Sequence, residues 1–124
     1  MLADNPAIAT IPVRDAAKAK AFYRDKLGLE PVDEEPGVTT YKSGGSQVFV
    51  YESEYAGTNE ATAATWPVDD VEAAVRELKS KGVAFEHYEN MPGMRVEGDV
   101  HVGENMKAAW FKDPDGNILS LVSG

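Results

Sequence analysis

The sequence predicts an α+β fold made of two βαβββ modules, and three observations carry the prediction. Residues 9–15 read Ala-Thr-Ile-Pro-Val-Arg-Asp and residues 64–70 read Ala-Thr-Trp-Pro-Val-Asp-Asp, identical at five of seven positions and offset by 55. That offset is close to half of the 124 residues, so duplication is the economical reading. Each copy leads into a helical apolar pattern closed by a glycine. About forty residues separate the two helices, room for four strands of ordinary length, where a ferredoxin-like order would need two.

In the first copy Ala19, Phe22, Tyr23 and Leu27 follow helical spacing, with Asp15 as N-cap and Gly28 just past the end. In the second, Val71, Ala74, Val75 and Leu78 form the apolar stripe. There Asp69 is the expected cap, with Glu72 three residues on, and Gly82 the stop. Alternation places strands at residues 7–13, 29–33, 38–43 and 46–52 in the first half and 61–68, 83–88, 106–112 and 117–122 in the second. The last two are joined by Asp113-Pro114-Asp115-Gly116, in which Pro114 presets φ and Gly116 supplies a positive φ. Residues 89–105, with Met91-Pro92-Gly93-Met94, Gly98 and Gly103, read mostly as a mobile loop. The whole is one domain, 1–124, with module one at about 6–55 and module two at about 61–124.

Composition narrows the function. The formal charge is −9, from 12 basic and 21 acidic residues, which argues against nucleic acid because phosphate binding needs clustered Lys and Arg. A negative field favours cationic ligands if the acids line a cleft, and otherwise serves solubility. Without cysteine there are no disulfides, zinc-thiolate sites or thiol nucleophiles. No secretory signal or membrane span is visible, so a cytoplasmic protein is expected.

The chain resembles the vicinal oxygen chelate superfamily, also called the glyoxalase/bleomycin-resistance/dioxygenase superfamily. The carriers are Pro12-Val13-Arg14-Asp15 leading into Ala21-Phe22-Tyr23-Arg24-Asp25-Lys26-Leu27-Gly28-Leu29, the second Pro67-Val68-Asp69-Asp70, and Asp113-Pro114-Asp115-Gly116-Asn117. The resemblance implies sheets that curl into an open eight-stranded trough. It implies a divalent metal on the floor in the family's enzymes, held by His, Gln or Glu from the first and fourth strand of each module. It also implies a homodimer.

Carried over by strand alternation, the four ligand positions fall on Ile8, Phe49, Ala63 and Ser120. Three offer a cation no lone pair and the fourth only a neutral hydroxyl, so no metal and no cofactor is expected. His87, Glu89 and His101 remain as an alternative, relocated set for a glyoxalase- or dioxygenase-like enzyme. Ser120 has no histidine placed to activate it. The expected floor is apolar and aromatic with a few hydroxyls: Ile8, Thr10, Phe49, Tyr51, Ala63, Thr65 and Ser120, with Trp110 or Phe111 depending on facing. Trp66 faces the core. The floor suits a flat aromatic or cationic small molecule. The leading expectation is a metal-independent small-molecule binding protein resembling the bleomycin-resistance branch; a regulatory partner protein is a third reading.

Overall fold

The computed structural model describes residues 1–123. After a short 3₁₀ turn the order is β1 (Ala9–Val13), α1 (Ala16–Tyr23), β2 (Glu30–Glu35), β3 (Val38–Ser43), β4 (Ser46–Glu52), β5 (Thr62–Pro67), α2 (Val71–Ser80), β6 (Phe85–Glu86), β7 (Arg95–Glu97), β8 (Val100–Val102), β9 (Lys107–Lys112) and β10 (Ile118–Ser123). One open sheet runs β1-β4-β3-β2, the other β5-β10-β9-β8-β7, with β6 also on β9. In each sheet the strand before the helix pairs in parallel with the last strand. Residue 124, the end of the expected second module, lies outside the described residues.

Both helices start on an aspartate. The Asp15 carboxylate accepts from the Lys18 N–H at 3.1 Å, and Glu52 from β4 accepts from the Ala16 N–H at 3.0 Å, so two of the free N–H groups of α1 are satisfied. In α2 the cap is Asp70, which accepts from the Ala73 N–H at 3.0 Å, not Asp69 as expected. The helix begins at Val71, so Asp70 is the residue flanking it, and its extended backbone aims the carboxylate at the third helical N–H. Glu72 then falls on the second helical residue, and its carboxylate takes a hydrogen bond from the Lys107 ammonium at 2.6 Å instead of closing a capping box.

One apolar core joins the halves. Ile11, Val13, Val48 and Val50 from the first sheet and Phe111, Leu119 and Leu121 from the second are buried under α1 and α2. Phe22 of α1 packs on Phe111 of β9 with ring centroids 6.3 Å apart, so the core is continuous across the repeat.

The β9–β10 turn ties the halves together. Asp113, only 4 % exposed, accepts from the Tyr23 hydroxyl at 2.6 Å, from the Asn117 side-chain amide at 2.8 Å, and from the Asp115 and Asn117 backbone N–H groups at 3.0 and 2.9 Å. Asn117 also donates to the Pro12 carbonyl at 2.7 Å, and Arg14 bonds Asp115 at 2.8 Å. Gly116 has the expected positive φ of 93°. The connecting segment 53–61 closes on the same turn, where the Gly57 N–H donates to Asn117 Oδ1 at 3.3 Å.

β1 and β5 lie side by side but do not pair. The Ser53 N–H reaches the Val13 carbonyl and the Val68 N–H the Val122 carbonyl, so both valines turn their backbones toward their own sheet. The preceding residues, Pro12 and Pro67, therefore face the unpaired seam. Proline has no N–H to leave unsatisfied there, which explains why the repeat retains it.

The structure departs from the expected eight strands in one region. Residues 89–105 were expected mostly as loop, yet they contain the hairpin β7–β8, with Gly98 at its turn at φ 66°. β6 is only two residues long because β8 shares the outer edge of β9 with it. Short strands of two or three residues carry too little alternation to register in sequence. β1 starts at Ala9 and not at 7, and β2 runs on to Glu35.

A Cβ on Gly57 would lie 1.8 Å from the Asp115 carbonyl oxygen, at a φ of +73°. Gly57→Ala is expected to cost about 2–4 kcal/mol in urea unfolding, the sum of left-handed strain and overpacking. A loss below about 0.5 kcal/mol, within the range of neutral surface changes, would show that the segment does not depend on this approach. Burial, and then the charge of Asp113, push the Tyr23 hydroxyl far above its ordinary pKa. Its folded-state pKa being raised, its contribution is complete below the unfolded value near pH ~10 and declines above it by about 1.4 kcal/mol per pH unit. Tyr23→Phe should make alkaline unfolding shallower by about one proton while costing roughly 1.5–3 kcal/mol at neutral pH.

Candidate ligand-binding trough

Residues paired across neighbouring strands share a face, so the register assembles the floor. On the first sheet Thr10 sits opposite Phe49 and Phe49 opposite Thr40; Pro12, Tyr51 and Val38 make the next row. On the second, Thr65, Ser120, Trp110 and Glu86 form one row across β5, β10, β9 and β6. Trp110 is therefore the ring on this face. Phe111, the other possibility, is fully buried in the core.

Of the expected site residues, Ile8, Phe49, Tyr51, Ala63 and Trp110 are half-buried and Thr10 and Thr65 exposed, whereas Ser120 is only 2 % exposed. The Ser120 and Thr65 hydroxyls hydrogen-bond each other at 2.7 Å. Ala63 occupies the register shift between β5 and β10, where Thr62 pairs with Ile118 and Ala64 with Leu119. Thr62 accepts from the Trp110 indole N–H at 3.1 Å, which fixes the ring over the floor.

Sequence reasoning missed an aromatic group around Trp110. The Trp110 ring stands edge-on to His101, 4.8 Å between centroids, and to Tyr88 at 5.5 Å. His101 Nε2 accepts from the Tyr88 backbone N–H at 2.8 Å, so its proton resides on Nδ1, which lies beside the Ala108 backbone without a partner of hydrogen-bond geometry. Burial, and then the charge of His87, hold the His101 pKa below its ordinary value; the nearby Ala108 backbone opposes them more weakly. Burial raises the Tyr88 hydroxyl, with the Glu86 charge adding to it. The sequence carried no signal for this group, because it depends on the β8–β9 register.

Trp66 packs on the core as expected, but it is half-buried, not enclosed, and its indole N–H donates to Ser43 Oγ at 2.9 Å across the seam. Depressions of about 470 and 560 Å³ flank the β3–β4 turn; the first opens at the β1–β5 seam between Thr65 and the core-facing Ala9, Val48, Ala64 and Trp66, and Ile8 lines the second.

The sequence profile of the glyoxalase/bleomycin resistance protein/dioxygenase superfamily matches residues 6–121. The chain belongs to this superfamily. No curated protein matches it. Solved structures with the same fold include TnmS3, an antibiotic binding protein from Streptomyces sp. CB03234 (25 % identity, 96 % of this chain and 94 % of that one, TM-score 0.67). A glyoxalase/bleomycin resistance protein from the same Streptomyces strain is 26 % identical over 94 % of this chain and 98 % of its own, with TM-score 0.63. A lactoylglutathione lyase from Agrobacterium tumefaciens shares 20 % identity over 97 % and 93 %, with TM-score 0.70, a likeness of fold.

The metal of the superfamily's enzymes does not fit the residues present. At the four positions that the resemblance assigns to a metal, Ile8, Phe49 and Ala63 bring only carbon to three, and the Ser120 hydroxyl at the fourth is buried and engaged with Thr65. The relocated set does not assemble either. His87 is exposed and bonded to Asp99 at 2.8 Å, a carboxylate also held by Lys79 at 2.6 Å, while His101 is buried behind Trp110. Among the described residues no three His, Asp or Glu side chains are grouped to hold an ion.

With its folded-state pKa depressed, His101 stabilises the fold above its unfolded value near pH ~6.5, and the contribution is lost as pH falls through the folded value. The melting temperature should therefore drop between about pH 7 and 5, and His101→Gln should flatten that slope. An unchanged slope would show that His101 is not the group titrating.

Proposed function

We propose that this superfamily member binds a small organic molecule in its trough without a metal. The observation that carries this reading is the donor-poor floor: of the four positions that the resemblance assigns to a metal, three carry hydrocarbon side chains, and at the fourth the Ser120 hydroxyl is paired with Thr65. What remains is aromatic and hydroxylic surface from Phe49, Tyr51, Trp110, Thr10 and Thr65, suited to stacking and orienting a flat ligand. TnmS3, at 25 % identity over nearly the full length, is an antibiotic binding protein, which supports the same reading. No helix is long and apolar enough to cross a membrane. A cytoplasmic location and a homodimer belong to the proposal, the latter because the outer edges of β2 and β7 are unpaired and open to a second copy.

Native mass spectrometry with elemental analysis of freshly purified protein is expected to give a dimer without a stoichiometric divalent ion. A thermal-shift panel of planar aromatic compounds should contain stabilising members, and Trp110→Ala and Phe49→Ala should each weaken them by about tenfold, the effect of losing a buried aromatic contact. One equivalent of divalent metal held through protein side chains, or a panel with no stabilising compound at high excess, would overturn the reading.

A further inference from the structure

Charge is distributed unevenly among the depressions of the surface. The chain carries 21 acidic side chains. Four of them, Asp69, Asp70, Glu72 and Glu104, line a depression of about 690 Å³ beside the start of α2, away from the expected floor residues, where Arg95 and Lys107 offset two of their charges. The two depressions that flank the β3–β4 turn contain none. The 470 Å³ depression has no charged residue of either sign, and the 560 Å³ one has Lys42 alone.

Its walls are built for a flat object. Ala7, Ala9, Gly44 and Ala64 keep the 470 Å³ depression wide, while Trp66 supplies one large apolar wall. The indole N–H is committed to Ser43, which fixes the tilt of the ring. Ser46 and Gln47 line both depressions, and their side chains make no hydrogen bond among the described residues. Their hydroxyl and amide groups are thus free to donate to and accept from a ligand. The volume lies within the range of ordinary small-molecule sites.

We infer that the depression at the β1–β5 seam beside the β3–β4 turn is a subsite for an uncharged, planar ring system bearing hydrogen-bonding oxygen or nitrogen, seated between Trp66, on the core-facing side of the seam, and Gln47. The inference rests on the proposed small-molecule reading and reverses the preference that net charge alone suggests. A cation entering here leaves its hydration shell and meets no carboxylate in return. A neutral ring loses little on desolvation, gains the indole wall, and finds the Ser46 and Gln47 groups for its polar atoms.

The test uses two ring systems of matched shape: acridone, neutral with a carbonyl and an N–H, and 9-aminoacridine, a cation at neutral pH. Fluorescence titration is expected to show acridone binding at least about tenfold more tightly. Gln47→Ala and Trp66→Phe should each weaken acridone about threefold or more, with circular dichroism confirming that the variants remain folded. Ser46→Asp should move the preference toward 9-aminoacridine. Tighter binding of the cation, acridone affinity indifferent to both Gln47→Ala and Trp66→Phe, or binding of neither probe would each overturn the inference. A probe whose affinity responds to Trp110→Ala but not to Gln47→Ala or Trp66→Phe would remove this subsite and leave the trough reading intact.

Discussion

The fold depends on a buried carboxylate. Asp113 would be costly to bury alone, yet its two oxygens are met by a phenol, a side-chain amide and two backbone N–H groups drawn from both halves of the chain. The same turn holds the end of β1 through Asn117 and Pro12, and the connecting segment through Gly57. Removing one donor leaves a charge partly unpaired in low dielectric, so the members act together and not as separate bonds. Two sheets that share no ladder are fixed relative to one another by this network and by the rings of Phe22 and Phe111.

Fixing the sheets fixes the floor between them. Alternation along β1, β4, β5 and β10 sends one set of residues to the core and the other to the trough, so core packing and ligand surface follow from the same register. In this chain the residues at the expected metal positions are poor donors to a cation, and aromatic and hydroxyl groups stand around them. The Thr65–Ser120 pair satisfies the one polar side chain among those positions: the two hydroxyls answer each other.

The repeat, both helices and the closing turn were legible because each has a short-range cause: a cap, a glycine, a proline at a defined place. The cap of α2 was misplaced by one residue, since two adjacent aspartates offer the same chemistry and only the helix start separates them. Phe111 and Trp110 could not be told apart until the β9–β10 register was known. The group of Tyr88, His101 and Trp110 was invisible because it unites three segments through a hairpin whose strands are three residues long. The difference in charged lining between the depression beside the β3–β4 turn and the one at the α2 margin likewise exists only in three dimensions; along the chain the acids are simply frequent.

Pro12 and Pro67, facing each other's strand with no N–H to offer, have a mechanical consequence. β1 and β5 form a crease, not a zipped ladder, and two clasps span it, Asn117 on Pro12 near one end and Trp66 on Ser43 near the other. No ladder bond crosses that line, so side-chain contacts and not backbone pairing hold the two sheets at their angle. The width of the groove is thereby set by side chains, and a guest that presses on the Trp66 indole presses on one of these clasps.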